Sequence, residues 1–410
     1  MLWRPAGACQ FVIVIPPRAE RRRPRPYNGD VRVQILSSRV GGGHQSVAEA
    51  LRQAFLAHAG GSVDVWIDDL YLEHAHFPAS RFPVMYATVT RRARWLWRLI
   101  FNVTNRPPAG PRLNWVGDVV GGSSLRDLIA ERRPDAVVTV LPGTTGFVAR
   151  SVLRSGVPTD VEVVVTDWAE IHLGWASTFP ARYTVPTENA RETLTSVGIA
   201  PDDVFVSGFP VREQFSRVQP GPDSKRRARE QLGLPLDRFL ILAMAGTEGS
   251  PAALAHLRAL IKAPLDADIL VVTGRNRRLF RRIERLEGRQ GSNRVRPLGF
   301  VENVAELMLA GDLLLTKTGG VTLAEAFCCG LPVLAFDPIP GQEEGNARYA
   351  VAHGAAELAT SPAHLVQLAS ELRWSSEKRE RLAAAGRDLA CPVAAARAAE
   401  AILARLPART

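Results

Sequence analysis

The chain has 410 residues, 46 % hydrophobic and 22 % charged, with a formal net charge of +10, which allows two to three globular domains with sizeable cores. No apolar run approaches the roughly 18 residues that cross a bilayer, and the four cysteines form no spaced framework, so neither a membrane-spanning nor a disulfide-stapled class fits. Much of the excess charge lies in the first thirty residues and in 81–112, with no nucleic-acid-binding motif at either, which argues against a nucleic-acid partner.

Residues 1–30, RRRPRP among them, read as a disordered basic tail or as the product of an upstream start codon, and are set outside the fold. VRVQIL (Val31–Leu36) alternates as a strand and ends at SSRVGGGHQS, after which Val47–Ala59 is helix-forming. From Arg81 to Arg112 there are seven arginines and no acidic residue, interleaved with Phe82, Tyr86, Trp95, Trp97 and Phe101. Arg91, Arg92, Trp95 and Trp97 then suit a segment lying on an anionic lipid surface; a solvated arginine face over buried tryptophans is the alternative. Strands are expected at Ala136–Leu141 and Val161–Thr166, the second opening TDWAEIHLGW with Asp167, His172 and Trp175. QPGPDSK (219–225) has linker composition. FLILAMAGTEGS followed by PAALAHLRALI repeats the opening strand, glycine loop and helix, with Pro251 suited to a first helical turn. Two such openings indicate two Rossmann-like halves, each with its own parallel sheet.

The densest stretch is Leu313–Asn346, LLLTKTGGVTLAEAFCCGLPVLAFDPIPGQEEGN. A buried strand breaks at two glycines, a helix runs from Val321 to Cys329, Gly330 and Pro332 stop it, and a second strand follows. Free N–H groups and the positive end of the helix dipole at the glycine turn suit a diphosphate. Lys317 stands beside that turn, and Glu325, one turn into the helix, is placed to reach ribose hydroxyls. PGQEEGN supplies amides and carboxylates in a density that suits a polyol. His44 ends GGGH at a helix N-terminus, where the dipole disfavours imidazolium and keeps the ring able to accept a proton.

The glycine turn joined to PGQEEGN resembles the donor site of the glycosyltransferases that include the monogalactosyldiacylglycerol synthases and the processive diacylglycerol glucosyltransferases, with the lipid II-forming enzyme more distant. The resemblance covers Val31 to Val351 and implies an α/β, GT-B architecture of two Rossmann-like doubly wound domains facing a cleft. It divides the chain into the tail (1–30), an acceptor domain (31–218), a UDP-sugar domain (219–391) and a C-terminal helix (392–410) crossing back to the first half. It implies His44 as the base, with Gly42 and Gly43 in the acceptor loop and Trp175 near the acceptor. Asp167 would line the cleft and orient either His44 or the acceptor hydroxyl. On the donor side it implies Gly246 close to the phosphates, Glu248 at the family's acidic position, and Phe300 and Val301 at the base; Arg275, after the strand of VVTGRN, is placed to pair with phosphate oxygens. Gly319, Gly320, Val321 and Thr322 would take the diphosphate, Glu325 the ribose, and Gln342, Glu343 and Asn346 the sugar, helped by Lys317, Gly341 and Glu344. The activity implied is inverting transfer of a hexose from a UDP-sugar to a lipid hydroxyl of diacylglycerol type, at the inner face of the cell membrane, without cofactor or metal. A glycosyltransferase for a soluble acceptor, a UDP-sugar 2-epimerase on the same fold and a silent sugar-nucleotide binder are the alternatives. The basic aromatic segment and GGGH weigh against the epimerase.

Overall fold

The computed structural model describes residues 31–38, 42–58, 62–74, 79–106, 123–244 and 251–406. The basic tail and the loop carrying Gly246 and Glu248 lie outside the described residues. The first sheet is formed by β1 (Val31–Ser37), β2 (Val63–Asp69), β3 (Ala136–Thr139), β4 (Asp160–Val164), β5 (Arg182–Val185) and β6 (Val204–Val206), in the order β2-β1-β3-β4-β5-β6. Every pairing in it is parallel. The second comprises β7 (Phe239–Met244), β8 (Ala267–Val272), β9 (Gly288–Gln290), β10 (Asn293–Leu298), β11 (Leu313–Thr316), β12 (Val333–Phe336) and β13 (Ala356–Ala359). Its order is β13-β12-β11-β7-β8-β10-β9, and only β9 runs antiparallel.

Covered on both faces by helices, β3, β11 and β12 are buried at every residue, which is why they read as unbroken apolar runs. Each sheet changes direction once, between β1 and β3 and between β7 and β11. Ligands of doubly wound sheets bind beyond the carboxyl ends of the strands at such switch points. The GGGH loop follows β1 and the TKTGG turn follows β11, so the topology brings both to the cleft.

The stretch 219–225 is only partly a linker, because a helix, Pro222–Gln231, already begins inside it. Proline at its first turn sets φ without removing a needed donor. Buried Arg229 of that helix donates to the Ala310 carbonyl and pairs with Asp312, which fastens the segment to the second half. The terminal helix Ala394–Leu403 returns to the first half, where Ala398, Ala399 and Ile402 share a core with Val47, Leu51 and Phe55 of the helix Gly43–His58.

Trp168 joins the halves. Its backbone N–H donates to Asn346 Oδ1 at 2.9 Å and its indole N–H to the Gly320 carbonyl at 3.0 Å. Its ring lies on Phe209 and Tyr349 and meets Phe327 edge-on. A Cβ at Gly320 would stand 2.7 Å from both the Thr166 carbonyl and the Phe209 ring. Glycine there permits the close approach of the two halves.

Candidate active site

The acceptor half contributes His44, the second residue of the helix Gly43–His58. Its ring is half-buried, and Nδ1 lies 3.3 Å from the Thr166 hydroxyl. Desolvation lowers its pKa to about 4, opposed only by a hydrogen bond to the Val140 carbonyl, so the imidazole is neutral at pH 7. Gly42 has φ +75°, the left-handed backbone that glycine adopts without strain, and Gly43 faces Val321 across the cleft. The loop ahead of Gly42, with Arg39, lies outside the described residues.

Asp167 stands next to Thr166 and is buried, with Oδ2 accepting from the Trp175 indole N–H at 3.0 Å. Burial raises its pKa to about 6, the indole bond pulling it partly back. Among the described residues the hydroxyl partner of His44 is therefore Thr166, a residue the sequence reading passed over, and the partner of Asp167 is Trp175. Trp175 itself is fully buried in the first core, so it does not meet an acceptor or a membrane: it holds Asp167.

On the donor side, the helix Gly320–Cys328 starts at the glycine turn with Gly319 as its cap, so Gly320, Val321 and Thr322 form its first turn. Glu325 is 4 % exposed, and its Oε1 accepts from Arg212 Nη2 at 2.9 Å and from the Ser46 hydroxyl at 3.4 Å. Burial raises its pKa while Arg212 and Ser46 oppose the rise. The Arg212 guanidinium also lies over the Phe215 ring. Both partners come from the acceptor half, and neither was singled out from the sequence; FPVREQF carries no periodic mark.

PGQEEGN is the start of a helix, Gln342–Ala352, and not an open loop. Glu343 Oε2 accepts from the Ile339 N–H and Glu344 Oε2 from the Gly341 N–H, which ties off the turn. Asn346, expected at the sugar, is buried, accepting from Trp168 and donating to the Thr318 carbonyl, so its amide fastens the two halves. Gln342 is half-buried at the first helical position. Lys317 Nζ sits 3.6 Å from Asp337 Oδ2. Arg275 lies 4.9 Å over the ring of exposed Phe300, which puts it beside the expected base segment, and Val301 packs on the core.

The basic aromatic segment forms two helices, Phe82–Arg92 and Arg94–Thr104. Residues three and four apart share a helix face. One face of the second helix crosses to the donor loop: Arg94 to Asp337 and Pro338, Arg98 to Glu344, Phe101 against Gly341. Phe101 also meets His172, which Thr104 contacts at 3.0 Å. The opposite face exposes Trp95 (71 %), Leu99 (52 %) and Val103 (54 %), with Arg91 and Arg92 exposed nearby. Trp97 is not part of that surface: it is half-buried edge-on to Tyr86. No helix among the described residues is long and apolar enough to cross a membrane. Asp68, Glu73 and His74 bring ligating atoms within 4.8 Å of one another, although Asp68 is already engaged by Gln34 and Arg132.

Two facing Rossmann-like halves, parallel-stranded except at β9, with a helix N-terminus at the TKTGG turn of one and His44 of the other close by, make up the GT-B architecture. The family description "Monogalactosyldiacylglycerol (MGDG) synthase" matches residues 44–211 and "Glycosyl transferases group 1" matches 225–389. The monogalactosyldiacylglycerol synthase of Spinacia oleracea is 30 % identical over 362 residues, 86 % of this chain and 67 % of that protein. A probable one from Nicotiana tabacum is 31 % identical, covering 86 % of this chain and 66 % of its own, so the chain spans about two thirds of the plant enzymes. A processive diacylglycerol beta-glucosyltransferase of Bacillus subtilis (strain 168) is 27 % identical across 87 % of this chain and 90 % of its own. MurG of Acinetobacter baumannii shares the fold, with a TM-score of 0.57, 15 % identity and coverage of 91 % and 99 % of the two chains. The chain belongs to the monogalactosyldiacylglycerol synthase family.

Proposed function

We propose that the enzyme moves a hexose from a UDP-sugar to the hydroxyl of a diacylglycerol-type lipid, with inversion, while seated on the cytoplasmic face of the cell membrane. The observation that carries this reading is the helix Arg94–Thr104, one face on the donor loop and the other presenting an exposed Trp95–Leu99–Val103 stripe beside arginines. His44 takes the proton of the acceptor hydroxyl as its oxygen bonds to the anomeric carbon. The bond from that carbon to the diphosphate oxygen breaks, and UDP leaves with the electron pair. The first turn at Gly319–Thr322 and the Lys317 ammonium stabilise the departing charge, so the reaction as proposed uses no metal. The names of the relatives support a lipid acceptor and both galactose and glucose as donors.

The test supplies UDP-glucose, UDP-galactose and UDP-N-acetylglucosamine to the enzyme on anionic vesicles with and without diacylglycerol. UDP release together with a glycolipid, only when diacylglycerol is present and undiminished by a chelator, is the expected result. Release with a water-soluble product, or a sugar nucleotide merely isomerised, overturns it.

A further inference from the structure

We infer that Asp337 is a positioning residue that couples the lipid-facing helix to the donor site, an inference that rests on the membrane reading just given. It follows β12 and is held at φ +47°, in the left-handed region that non-glycine residues seldom occupy. Strain of that kind persists where surrounding contacts over-determine it, and it is a pointer to function. Here the contacts include two cations on opposite oxygens. Arg94 Nη1 lies 2.5 Å from Oδ1, and Lys317 Nζ lies 3.6 Å from Oδ2. The carboxylate is nearly buried, at 8 % side-chain exposure, so both interactions are weakly screened.

The two cations come from functionally different parts. Arg94 opens the helix whose far face exposes Trp95, Leu99 and Val103, and its second nitrogen donates to the Pro338 carbonyl. Lys317 sits at the end of β11, two residues before Gly319. One carboxylate between two cations leaves a unit of positive charge within the triad, beside the helix N-terminus that takes a diphosphate. Two further contacts repeat the link: Arg98 to Glu344, and Phe101 against Gly341, where φ is +87° and a Cβ would meet the ring at 2.6 Å. Seating the outer face on lipid fixes Arg94, Arg94 fixes Asp337, and Asp337 fixes Lys317. The donor end of the cleft is then fully organised only on the surface where the acceptor resides.

The test is a double-mutant cycle on sugar-nucleotide affinity. Full-length wild type, Arg94→Gln, Lys317→Gln, the double variant, Arg94→Lys and Asp337→Asn are titrated calorimetrically with UDP-glucose and UDP-galactose, with and without anionic phospholipid vesicles. Without lipid, Arg94→Gln weakens binding about fivefold, Lys317→Gln at least as much, and the double variant no more than Lys317→Gln, since Arg94 reaches the ligand only through Asp337 and Lys317. Arg94→Lys retains most of the affinity. Vesicles raise the affinity of the wild type and not that of Asp337→Asn, although both sediment with the vesicles. Additive losses in the cycle, unchanged affinity in Arg94→Gln, or a vesicle gain kept by Asp337→Asn overturn the coupling. A wild type that does not sediment defeats the membrane reading, while the lipid-free cycle still decides the coupling.

Discussion

At the scale of single residues, the proposed chemistry turns on half-buried His44, which stands near buried Asp167, and their environments push the two pKa values in opposite directions. His44→Ala should bind UDP-sugar nearly as the wild type does and lose about 10²–10⁴ in turnover, the range for removal of a general base. Calorimetry beside steady-state rates checks it; a variant that keeps most of its turnover removes His44 from the mechanism. Because folding lowers the His44 pKa from 6.5 to about 4, the unfolded chain binds the proton first as pH falls through that window, and stability drops. Asp167 works the other way: its raised pKa adds stability at low pH that is lost as pH rises through about 6. The acid limb of kcat/KM should therefore lie well below 6.5 and survive Asp167→Asn. A limb near 6 that vanishes in Asp167→Asn would transfer the base to Asp167. Glu325→Ala should weaken UDP binding by about 1–3 kcal/mol. Arg212→Ala should weaken it too, because burial then pushes the Glu325 pKa higher, and the deficit should shrink as pH rises. A deficit independent of pH would show that Arg212 acts otherwise.

At the scale of elements, the Arg94–Thr104 helix has one face on the turn around Asp337 and one face exposed, and on the proposed reading substitutions should separate them. Trp95→Ala should reduce sedimentation with anionic vesicles and leave Tm unchanged. Trp97→Ala should lower stability by about 2 kcal/mol through its contact with Tyr86. Equal effects of the two on vesicle binding would contradict this division. Salt should weaken the association, since arginine attraction is screened over about 8–10 Å. The opening strand of each half, the strands flanking the TKTGG turn and the helix beginning at that turn were legible in the sequence because periodicity and glycine placement are local signals. Composition in 81–112 was legible as well, but it could not say which tryptophan faces out. Helical phase decides that, and the break at Ala93 between the two helices resets it. Nor could PGQEEGN be read as a helix start, since its glycines and acidic residues suit a loop equally well.

At the scale of the whole molecule, what the sequence withheld is the set of contacts between halves. Trp168 with Gly320 and Asn346, Arg212 with Glu325, and Arg94 with Asp337 each join residues more than 100 positions apart. Such pairs leave no spacing to read. They also explain why Asn346, matched to the sugar by motif, turns out to hold the halves together: a polar side chain beside a cleft can serve either the ligand or the opposite wall. The fold alone does not choose between a transferase and a sugar-nucleotide epimerase. On the proposed reading, the exposed Trp95–Leu99–Val103 face and the neutral His44 carry the choice. The most direct measurement of that choice is the anomeric configuration, by proton NMR, of the sugar on lipid recovered after incubation with an α-linked UDP-hexose and diacylglycerol vesicles. A β-linked glycolipid is the predicted result, since one base and one displacement invert the centre; an α-linked glycolipid, or no sugar on the lipid at all, would contradict the account.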